Sequence, residues 1–373
     1  MSEQRIEKIG NMQDTQGISG TLGTPEAPAT PGMPDASDAP ATPGTPDAPV
    51  TLEMPGTPEA PTTQGTQDAS NMQVSTKTQL LSYGVIVLAA VCWGVIGIFN
   101  RTLTAAGFSQ MQIAFTRCAV AFVVFGLFLL FTDRAAFRIK LRDIWCFFGT
   151  GVLALAVLNW SYFSAMQEMS LSVAAVMMYM APVVVVLLSA VLFKERITGG
   201  KVVALVLVIV GAVFTTGLLG GAGDAVISPL GLCFGALSAV SYALYSIFSR
   251  FALQRGYSAN TISFYSFAFS ALACGLFADL PHYASNFTSP DIVLWGIALG
   301  VLTYAVAYTL YTAGLKNVET GKAAILATLE MVVATLVSVF VFNEPFGLTN
   351  LVGIVCVLAG IAVMNVKPRS HAR

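Results

Sequence analysis

From residue 79 onward the sequence alternates between long apolar stretches and short polar breaks, and this alternation constrains the fold more than any other feature. A helix needs about 20 apolar residues to cross the hydrocarbon of a bilayer. The runs are long and lack strict alternation, so they predict helices rather than the strands of a membrane barrel. The predicted fold class is an all-α polytopic membrane protein with ten transmembrane helices, at 79–100, 109–131, 143–165, 171–193, 201–219, 229–250, 259–280, 292–313, 321–342 and 349–366.

The composition excludes a soluble globular protein. Hydrophobic residues make up 55% of the chain and charged residues only 10%, and the mean hydropathy is +0.73. A soluble domain carries about 25% charged residues, so this chain lacks the polar surface that water requires. The lipid bilayer is therefore an expected partner.

The segment before the first helix, residues 1–78, has a different character. A degenerate Gly-Thr-Pro-Glu/Asp-Ala-Pro repeat occupies 23–28, 44–49 and 56–61. Proline removes backbone donors and the repeat offers little to bury, so we expect a disordered, acidic Pro/Thr/Ala-rich tail. Residues 367–373 form a second, short tail, and both tails are expected in the cytoplasm.

Basic residues set this orientation, because cytoplasmic loops are enriched in Lys and Arg. With a cytoplasmic amino terminus, the outer loops hold only Arg101. The inner loops and ends hold Lys77, Arg134, Arg138, Lys140, Arg142, Lys194, Arg196, Lys201, Arg250, Arg255, Lys316, Lys322, Lys367, Arg369 and Arg373. We therefore expect both termini on the cytoplasmic side of the cell membrane.

The chain also matches itself, without a gap, at a shift of 149 residues that brings Arg101 onto Arg250 and Glu195 onto Glu344. The first repeat covers 79–219 and the second 229–366. Each predicted repeat has five helices, an odd number, so the second would enter the membrane from the opposite side. Inverted repeats are the scaffold of alternating-access transporters, with the substrate near the midplane between the halves.

The ends of the fourth and ninth helices resemble a known family. The segment from Pro182 to Glu195 and the segment from Leu329 through Glu344, followed by a helix with Gly353 and Gly360, resemble the EamA repeat of the drug/metabolite transporter superfamily. Arg117, in Phe-Thr-Arg inside the second helix, is also similar to that family.

This resemblance implies a ten-helix carrier of small metabolites, often an exporter of amino acids or related compounds. It also implies that Glu195, Glu344 and Pro182 are structural or gate residues. One departure is Met331, where the second repeat of the family often carries proline, and this affects the helix bend expected there.

Two charges lie inside the predicted spans, where each is costly to hold. Arg117 maps by the repeat onto Ser266, and Glu330 onto Ala181, so neither has a charged counterpart. Glu330 is a candidate for binding a substrate amine or a coupling proton, and Arg117 for a carboxylate or phosphate. Alternatively, the two side chains pair with each other, or with helix-end carbonyls, and fasten the bundle.

Aromatic and amide side chains form a second group of candidate substrate-binding residues. Unpartnered hydroxyls and amides are unfavourable in lipid, so these helix faces should look into the bundle. There they would either line a cavity or join helices by hydrogen bonds. The members are Trp93, Asn100, Asn159, Tyr162, Tyr242, Tyr245, Tyr304, Tyr308 and Tyr311.

Several other classes of function lack their motifs. No Gly-x-x-x-x-Gly-Lys-Ser/Thr loop, no Cys/His metal spacing and no Gly-x-Ser-x-Gly motif occurs. We expect no enzyme activity, no metal, no cofactor and no nucleic-acid partner. Two small-residue patterns, Gly231-x-x-x-Gly235 and Gly296-x-x-x-Gly300, leave a homodimer open.

The predicted function is secondary transport of a small metabolite by alternating access, in the direction of export or in exchange, and the resemblance implies an amino-acid-like or related compound. Coupling to protons through Glu330, exchange and facilitated diffusion all remain open. The alternative is a non-transporting multi-pass protein, such as a lipid-modifying enzyme or a sensor. A nucleotide-sugar or triose-phosphate carrier should need more than one cavity cation, and Arg117 alone is available.

Overall fold

A computed structural model describes residues 76–216, 218 and 228–365, and within these residues the regular secondary structure is helical, without a strand. The long helical segments are α1 Lys77–Ala105, α2 Gln110–Thr132, α3 Leu141–Glu168, α4 Leu171–Leu192, α5 Gly199–Thr215, α6 Pro229–Gln254, α7 Ala259–Gly275, α8 Pro290–Leu315, α9 Thr320–Phe342 and α10 Leu348–Asn365. The predicted tails lie outside the described residues, except for 76–78.

The helices confirm a multi-pass membrane protein. Eight of them, all except α5 and α7, are long and apolar enough to cross a bilayer. Helix α7 and the short helix Leu280–Asn286 make a ninth span if they count as one, although they are bent by 103°. Helix α5 is apolar but shorter than the roughly 20 residues that a span requires. The number of ten spans stays a prediction.

Helices α4 and α9 are both broken near their middles. Helix α4 is interrupted at Tyr179 and Met180, just before Pro182, whose ring nitrogen has no hydrogen to donate. Helix α9 is interrupted at Thr328, whose hydroxyl donates to the Ile325 carbonyl at 2.6 Å. The repeat maps Tyr179 onto Thr328. The second break therefore forms without a proline at the position of Met331.

The two repeats pack through matching helices. Helices α2, α4 and α5 each pack against their own counterparts, α7, α9 and α10. The contact of α1 with α8 is matched by that of α6 with α3, and the contact of α1 with α9 by that of α6 with α4. This reciprocal pattern is that of two halves related by a pseudo-two-fold axis, which places the seam between the repeats at the centre of the bundle.

Backbone conformation repeats with the sequence. Gly107 and Gly256, which follow α1 and α6, have φ of +91° and +84°. Lys194 and Asn343, which follow α4 and α9, have φ of +56° and +54°. Left-handed conformations are uncommon for residues other than glycine. Their recurrence at matched positions shows that the two halves share loop geometry as well as helix order.

The small-residue patterns are used inside the chain. A methyl group at Gly235 would lie 2.9 Å from the Met177 side chain, and one at Gly300 would lie 2.6 Å from that of Val120. Gly231 faces Glu168 in the same way. These glycines bring helices of one chain together, so they do not provide a free face for a homodimer.

The most extensive contact between matched helices joins α5 and α10, and it yields a stability prediction. A methyl group at Gly211 would lie 2.9 Å from the Gly353 carbonyl oxygen, and one at Gly360 would lie 2.9 Å from that of Ala204. Because backbone cannot move aside cheaply, Gly211→Ala should destabilise the protein by about 1–3 kcal/mol. Thermal unfolding of the purified protein in detergent measures this loss.

The matched control is Gly84→Ala on α1, where an added methyl group meets no atom within 4 Å. Alanine has the higher helix propensity, so this variant should unfold at the parent temperature or above it. Equal melting temperatures for the two variants would contradict the proposed close packing of α5 and α10.

Candidate functional site

A cavity of about 220 Å³ lies at the seam between the two halves. All the predicted substrate-binding residues except Tyr245 and Tyr311 line it, namely Trp93, Asn100, Arg117, Asn159, Tyr162, Tyr242, Tyr304, Tyr308 and Glu330. They come from both repeats, and six different helices contribute them. The structure thus brings into one place residues that are far apart in the sequence.

Arg117 reaches the cavity from α2. Its guanidinium donates a hydrogen bond to the side-chain oxygen of Asn159 and lies 4.9 Å from the ring centre of Tyr304. The amide of Asn159 donates in turn to the Leu155 carbonyl at 2.7 Å and to the Tyr304 hydroxyl at 3.2 Å. A cation held by a neutral amide and an aromatic face keeps its charge available for a ligand.

Glu330 enters the cavity from the first turn of the helix that follows the break at Thr328. One carboxylate oxygen accepts a hydrogen bond from the Tyr242 hydroxyl at 3.1 Å. Glu330 also borders a second, smaller cavity with Tyr242, Tyr311 and Pro182. The carboxylate therefore stands where the broken helix meets the seam between the halves.

Arg117 and Glu330 form no ion pair with each other in this conformation; among the described residues their side-chain hydrogen-bond partners are Asn159 and Tyr242. The structure therefore does not contain the alternative arrangement, in which Arg117 and Glu330 pair with each other and fasten the bundle. Both charges border the same space and remain able to meet a ligand.

Tyr245 and Tyr311 join helices by hydrogen bonds, which was the alternative to lining the central cavity. The Tyr245 hydroxyl is 2.8 Å from the Thr312 hydroxyl, and the Tyr311 hydroxyl is 2.7 Å from that of Ser246. These hydrogen bonds join α6 to α8. Tyr245 is only 2% exposed and lies behind the wall of the central cavity.

Three buried polar atoms around the central cavity have no hydrogen-bond partner within the described part of the chain. They are Nε1 of Trp93, Oδ1 of Asn100 and Nε of Arg117. Buried polar groups in proteins are almost always hydrogen-bonded, because leaving one unpaired costs about 1–3 kcal/mol. Two unpaired donors and one unpaired acceptor thus belong to three residues that line one cavity.

Aromatic rings form most of the remaining wall. The Trp93 ring centre lies 5.0 Å from that of Tyr308, which lies 4.9 Å from that of Tyr304. Tyr179 and Phe163 also line the cavity, although neither was among the predicted residues. Tyr179 had a signal, since it lies three residues before Pro182 and maps onto Thr328, two residues before Glu330. No comparable signal marks Phe163.

Two of the predicted gate or structural residues, Glu195 and Glu344, lie at opposite ends of the bundle. The carboxylate of Glu195 accepts hydrogen bonds from the backbone N–H groups of Thr320 at 2.7 Å and Gly321 at 3.1 Å, at the start of α9. Lys201, which is buried, lies 3.7 Å from Glu195 and 2.8 Å from Glu319. Partial burial opposes ionisation of Glu319, but the hydrogen bond and charge of Lys201 outweigh it and lower the pKa of Glu319.

Glu344 has different partners. Its carboxylate accepts hydrogen bonds from Ser338 and Arg101, and these hydrogen bonds lower its pKa. The Arg101 guanidinium also lies 3.9 Å from the ring centre of Phe342. Pro182 stands at the break of α4 and borders the smaller cavity. Within the described residues, no group of three or more His, Cys, Asp and Glu side chains comes together to hold a metal ion.

Known proteins share this arrangement of two repeats. The EamA-like transporter family matches residues 80–217 and, a second time, residues 229–366. The chain belongs to the EamA-like transporter family. The two matches fall on the duplicated halves, which agrees with the resemblance seen in the sequence.

Relatives that match over nearly their full length are described as transporters. An uncharacterized transporter of Archaeoglobus fulgidus is 33% identical over 294 residues, which cover 76% of this chain and 96% of the relative. Uncharacterized transporter YxxF of Bacillus subtilis is 24% identical over 309 residues, covering 80% and 94%. A protein of known crystal structure has the same fold, with a TM-score of 0.65 at 20% identity, covering 76% of this chain and 96% of that protein. The protein is thus a transporter of the EamA-like family.

The hydrogen bond between Arg117 and Asn159 yields a second stability prediction. Asn159→Leu leaves the buried guanidinium without its acceptor, and the loss should exceed the cost of about 1–3 kcal/mol for a neutral unpaired group. In the double variant Arg117→Met/Asn159→Leu, the guanidinium that would lack its acceptor is absent. Thermal unfolding should therefore show the double variant to be more stable than Asn159→Leu alone. A lower melting temperature for the double variant than for Asn159→Leu would contradict this role of Asn159.

Proposed function

We propose that this EamA-like transporter carries a small zwitterionic metabolite, a compound with both an amine and a carboxylate, by alternating access. The observation that supports the proposal is that Arg117 and Glu330 border one cavity without pairing with each other. Each comes from a different repeat and has no charged counterpart, so the two charges are an addition to an otherwise symmetrical scaffold.

The carboxylate of the substrate would meet the donor side of the cavity. The guanidinium of Arg117 and the ring of Trp93 both line the cavity, and rotation of the two side chains would turn their unpaired N–H groups toward the ligand. Charge-assisted hydrogen bonds of this kind are about twice as strong as neutral ones. A single cation also fits one carboxylate better than a nucleotide sugar or a triose phosphate, which present more negative charge.

The amine of the substrate would meet the acceptor side. Glu330 supplies a carboxylate, and rotation of the Asn100 side chain would turn its unpaired Oδ1 toward the ligand as a neutral acceptor. Aromatic rings between the two sides would cover the apolar part of the molecule. The volume of about 220 Å³ is below the roughly 300–1,000 Å³ of sites for drug-sized ligands, which favours a small metabolite.

Alternating access requires that the two halves be inverted in the membrane. We propose that α5, and α7 together with Leu280–Asn286, also cross the bilayer, which gives ten spans and an odd number in each repeat. Both termini would lie in the cytoplasm, as the distribution of Lys and Arg favours. Glu330 would couple transport to protons in an antiporter, whereas an exchanger would need no titration of this residue.

The two sides of the cavity predict opposite effects for two variants. Binding is measured as thermal stabilisation of the detergent-purified protein by each of the common amino acids, their methyl esters and their deaminated acids. At least one amino acid should stabilise the parent protein. Glu330→Gln should weaken binding of that amino acid about tenfold or more but leave its deaminated acid unaffected, because a lost charged hydrogen bond costs about 1.5–3 kcal/mol. Arg117→Gln should likewise weaken binding of the amino acid, but it should leave binding of the methyl ester, which has no free carboxylate, unaffected.

Glu168→Gln is the matched control, since Glu168 binds Ser228 at 3.1 Å and does not line the central cavity. It should bind all three compounds as the parent does. Counterflow of the bound amino acid in liposomes that contain only this protein then tests transport itself. The proposed substrate class would be overturned if no amino acid stabilised the parent protein. It would also be overturned if Glu330→Gln lost the same amount of affinity for the amino acid as for its deaminated acid.

A further inference from the structure

The two ends of the bundle carry matched residues in different arrangements. At one end, Glu195 caps the backbone N–H groups of Thr320 and Gly321. At the same end, Arg250 donates a hydrogen bond to the Leu315 carbonyl, at the last turn of α8. Together these contacts fasten the start of α9 to the end of α4, across the seam, and the end of α8 to α6. We call them the Glu195 latch.

The repeat predicts the equivalent contacts at the opposite end. The shift of 149 residues maps Glu195 onto Glu344, and maps Thr320 and Gly321 onto Leu171 and Ser172 at the start of α4. It likewise maps Arg250 onto Arg101, and Leu315 onto Met166. In the described residues neither equivalent contact is formed, because the Arg101 and Glu344 side chains bind each other instead.

An opening separates the residues that would meet. A cavity of about 560 Å³ is bordered by Arg101 on α1, by Met166 on α3 and by Leu171 on α4, and it shares Asn100, Tyr162 and Phe163 with the central cavity. Leu171 is 60% exposed, whereas its counterpart Thr320 is fully buried. Leu315, the counterpart of Met166, is fully buried too. The bundle is thus open at the Glu344 end and closed at the Glu195 end.

We propose that Glu344 and Arg101 form a second latch, which closes when the Glu195 latch opens. In that state Glu344 caps the N–H groups of Leu171 and Ser172, and Arg101 donates to the Met166 carbonyl. A carboxylate at the start of a helix is favourable, because it accepts from free N–H groups and faces the positive end of the helix dipole. The present Arg101–Glu344 pair holds both side chains at the rim while the cavity is open. This inference rests on the proposed alternating access.

The two latches are unequal, and the difference accounts for the side that is closed here. Lys201 and Glu319 add two ion pairs to the Glu195 latch. The repeat maps Lys201 onto Asn350 and Glu319 onto Ser170, so the Glu344 latch has no such support. Without substrate the chain should therefore favour the state with the Glu195 end closed. Weakening the Glu195 latch should shift the balance away from this state, and weakening the Glu344 latch should shift it further toward this state.

Cysteine labelling tests this prediction without any substrate. Leu171→Cys and Thr320→Cys, made separately, report on the two ends and keep the backbone N–H groups. The background carries Cys233→Ser and Cys356→Ser, because these two cysteines are not buried. The readout is the rate of reaction with a membrane-impermeant maleimide in vesicles of each sidedness. Each reporter is combined with Glu195→Gln, with Glu344→Gln, or with the control Asp291→Asn at the start of α8.

Glu195→Gln should slow labelling at position 171 and speed labelling at position 320, each several-fold. Compared with the reporters alone, Glu344→Gln should not slow labelling at position 171 and should not speed labelling at position 320. Asp291→Asn should change neither rate. Parallel shifts in the two Gln variants, or no shift in either, would overturn the latch. If the rates shift oppositely while no amino acid shows counterflow, the substrate proposal fails and the latch stands. If counterflow is intact while the rates shift in parallel, the latch fails and the substrate proposal stands.

Discussion

The close packing of α2, α4 and α5 against their counterparts in the other repeat, α7, α9 and α10, is the constraint on which the rest of the structure depends. Lipid provides no hydrophobic drive between helices, so association relies on van der Waals contact and hydrogen bonds. Gly211 against Gly353, and Gly360 against Ala204, show how closely the backbones approach. With α2, α4 and α5 joined to α7, α9 and α10, every cavity that includes residues of both repeats lies on the seam.

We propose that function in this chain depends on where the two halves differ. The shared scaffold supplies the breaks of α4 and α9, and the exposed backbone at those breaks is tolerated because it faces protein and cavity rather than lipid. On this scaffold the second repeat places Glu330 after its break, where the first repeat has Ala181. The first repeat places Arg117 where the second has Ser266. The same principle separates the two ends, since Lys201 supports one of them only.

Much of this architecture follows from the sequence, because length and hydropathy alone define helices in a bilayer. The fixed shift of 149 residues was enough to pair Glu195 with Glu344 and to single out Arg117 and Glu330 as the exceptions. Most residues chosen for polarity within apolar helices line the central cavity, since a polar group in lipid must turn inward.

What the sequence did not provide is the direction in which each side chain points and where a helix deviates from regular geometry. Tyr245 and Tyr308 have the same chemistry, yet Tyr245 bonds to Thr312 and Tyr308 faces the cavity. The π-helical stretches Gly149–Ala156 and Val301–Val306 rotate the faces of α3 and α8. No residue type in these stretches predicts a π-helix. The bend between α7 and Leu280–Asn286 likewise lay inside a window that hydropathy treats as continuous.

The inversion of the two repeats is the central claim, and the sidedness of two matched positions tests it most directly. Ala105, at the end of α1, maps onto Gln254 at the end of α6, and both are exposed. Ala105→Cys and Gln254→Cys, in the background without Cys233 and Cys356, are labelled with a membrane-impermeant maleimide in sealed vesicles of known orientation. Inverted repeats predict that the two cysteines react from opposite faces of the membrane. Reaction of both from the same face would contradict the inversion.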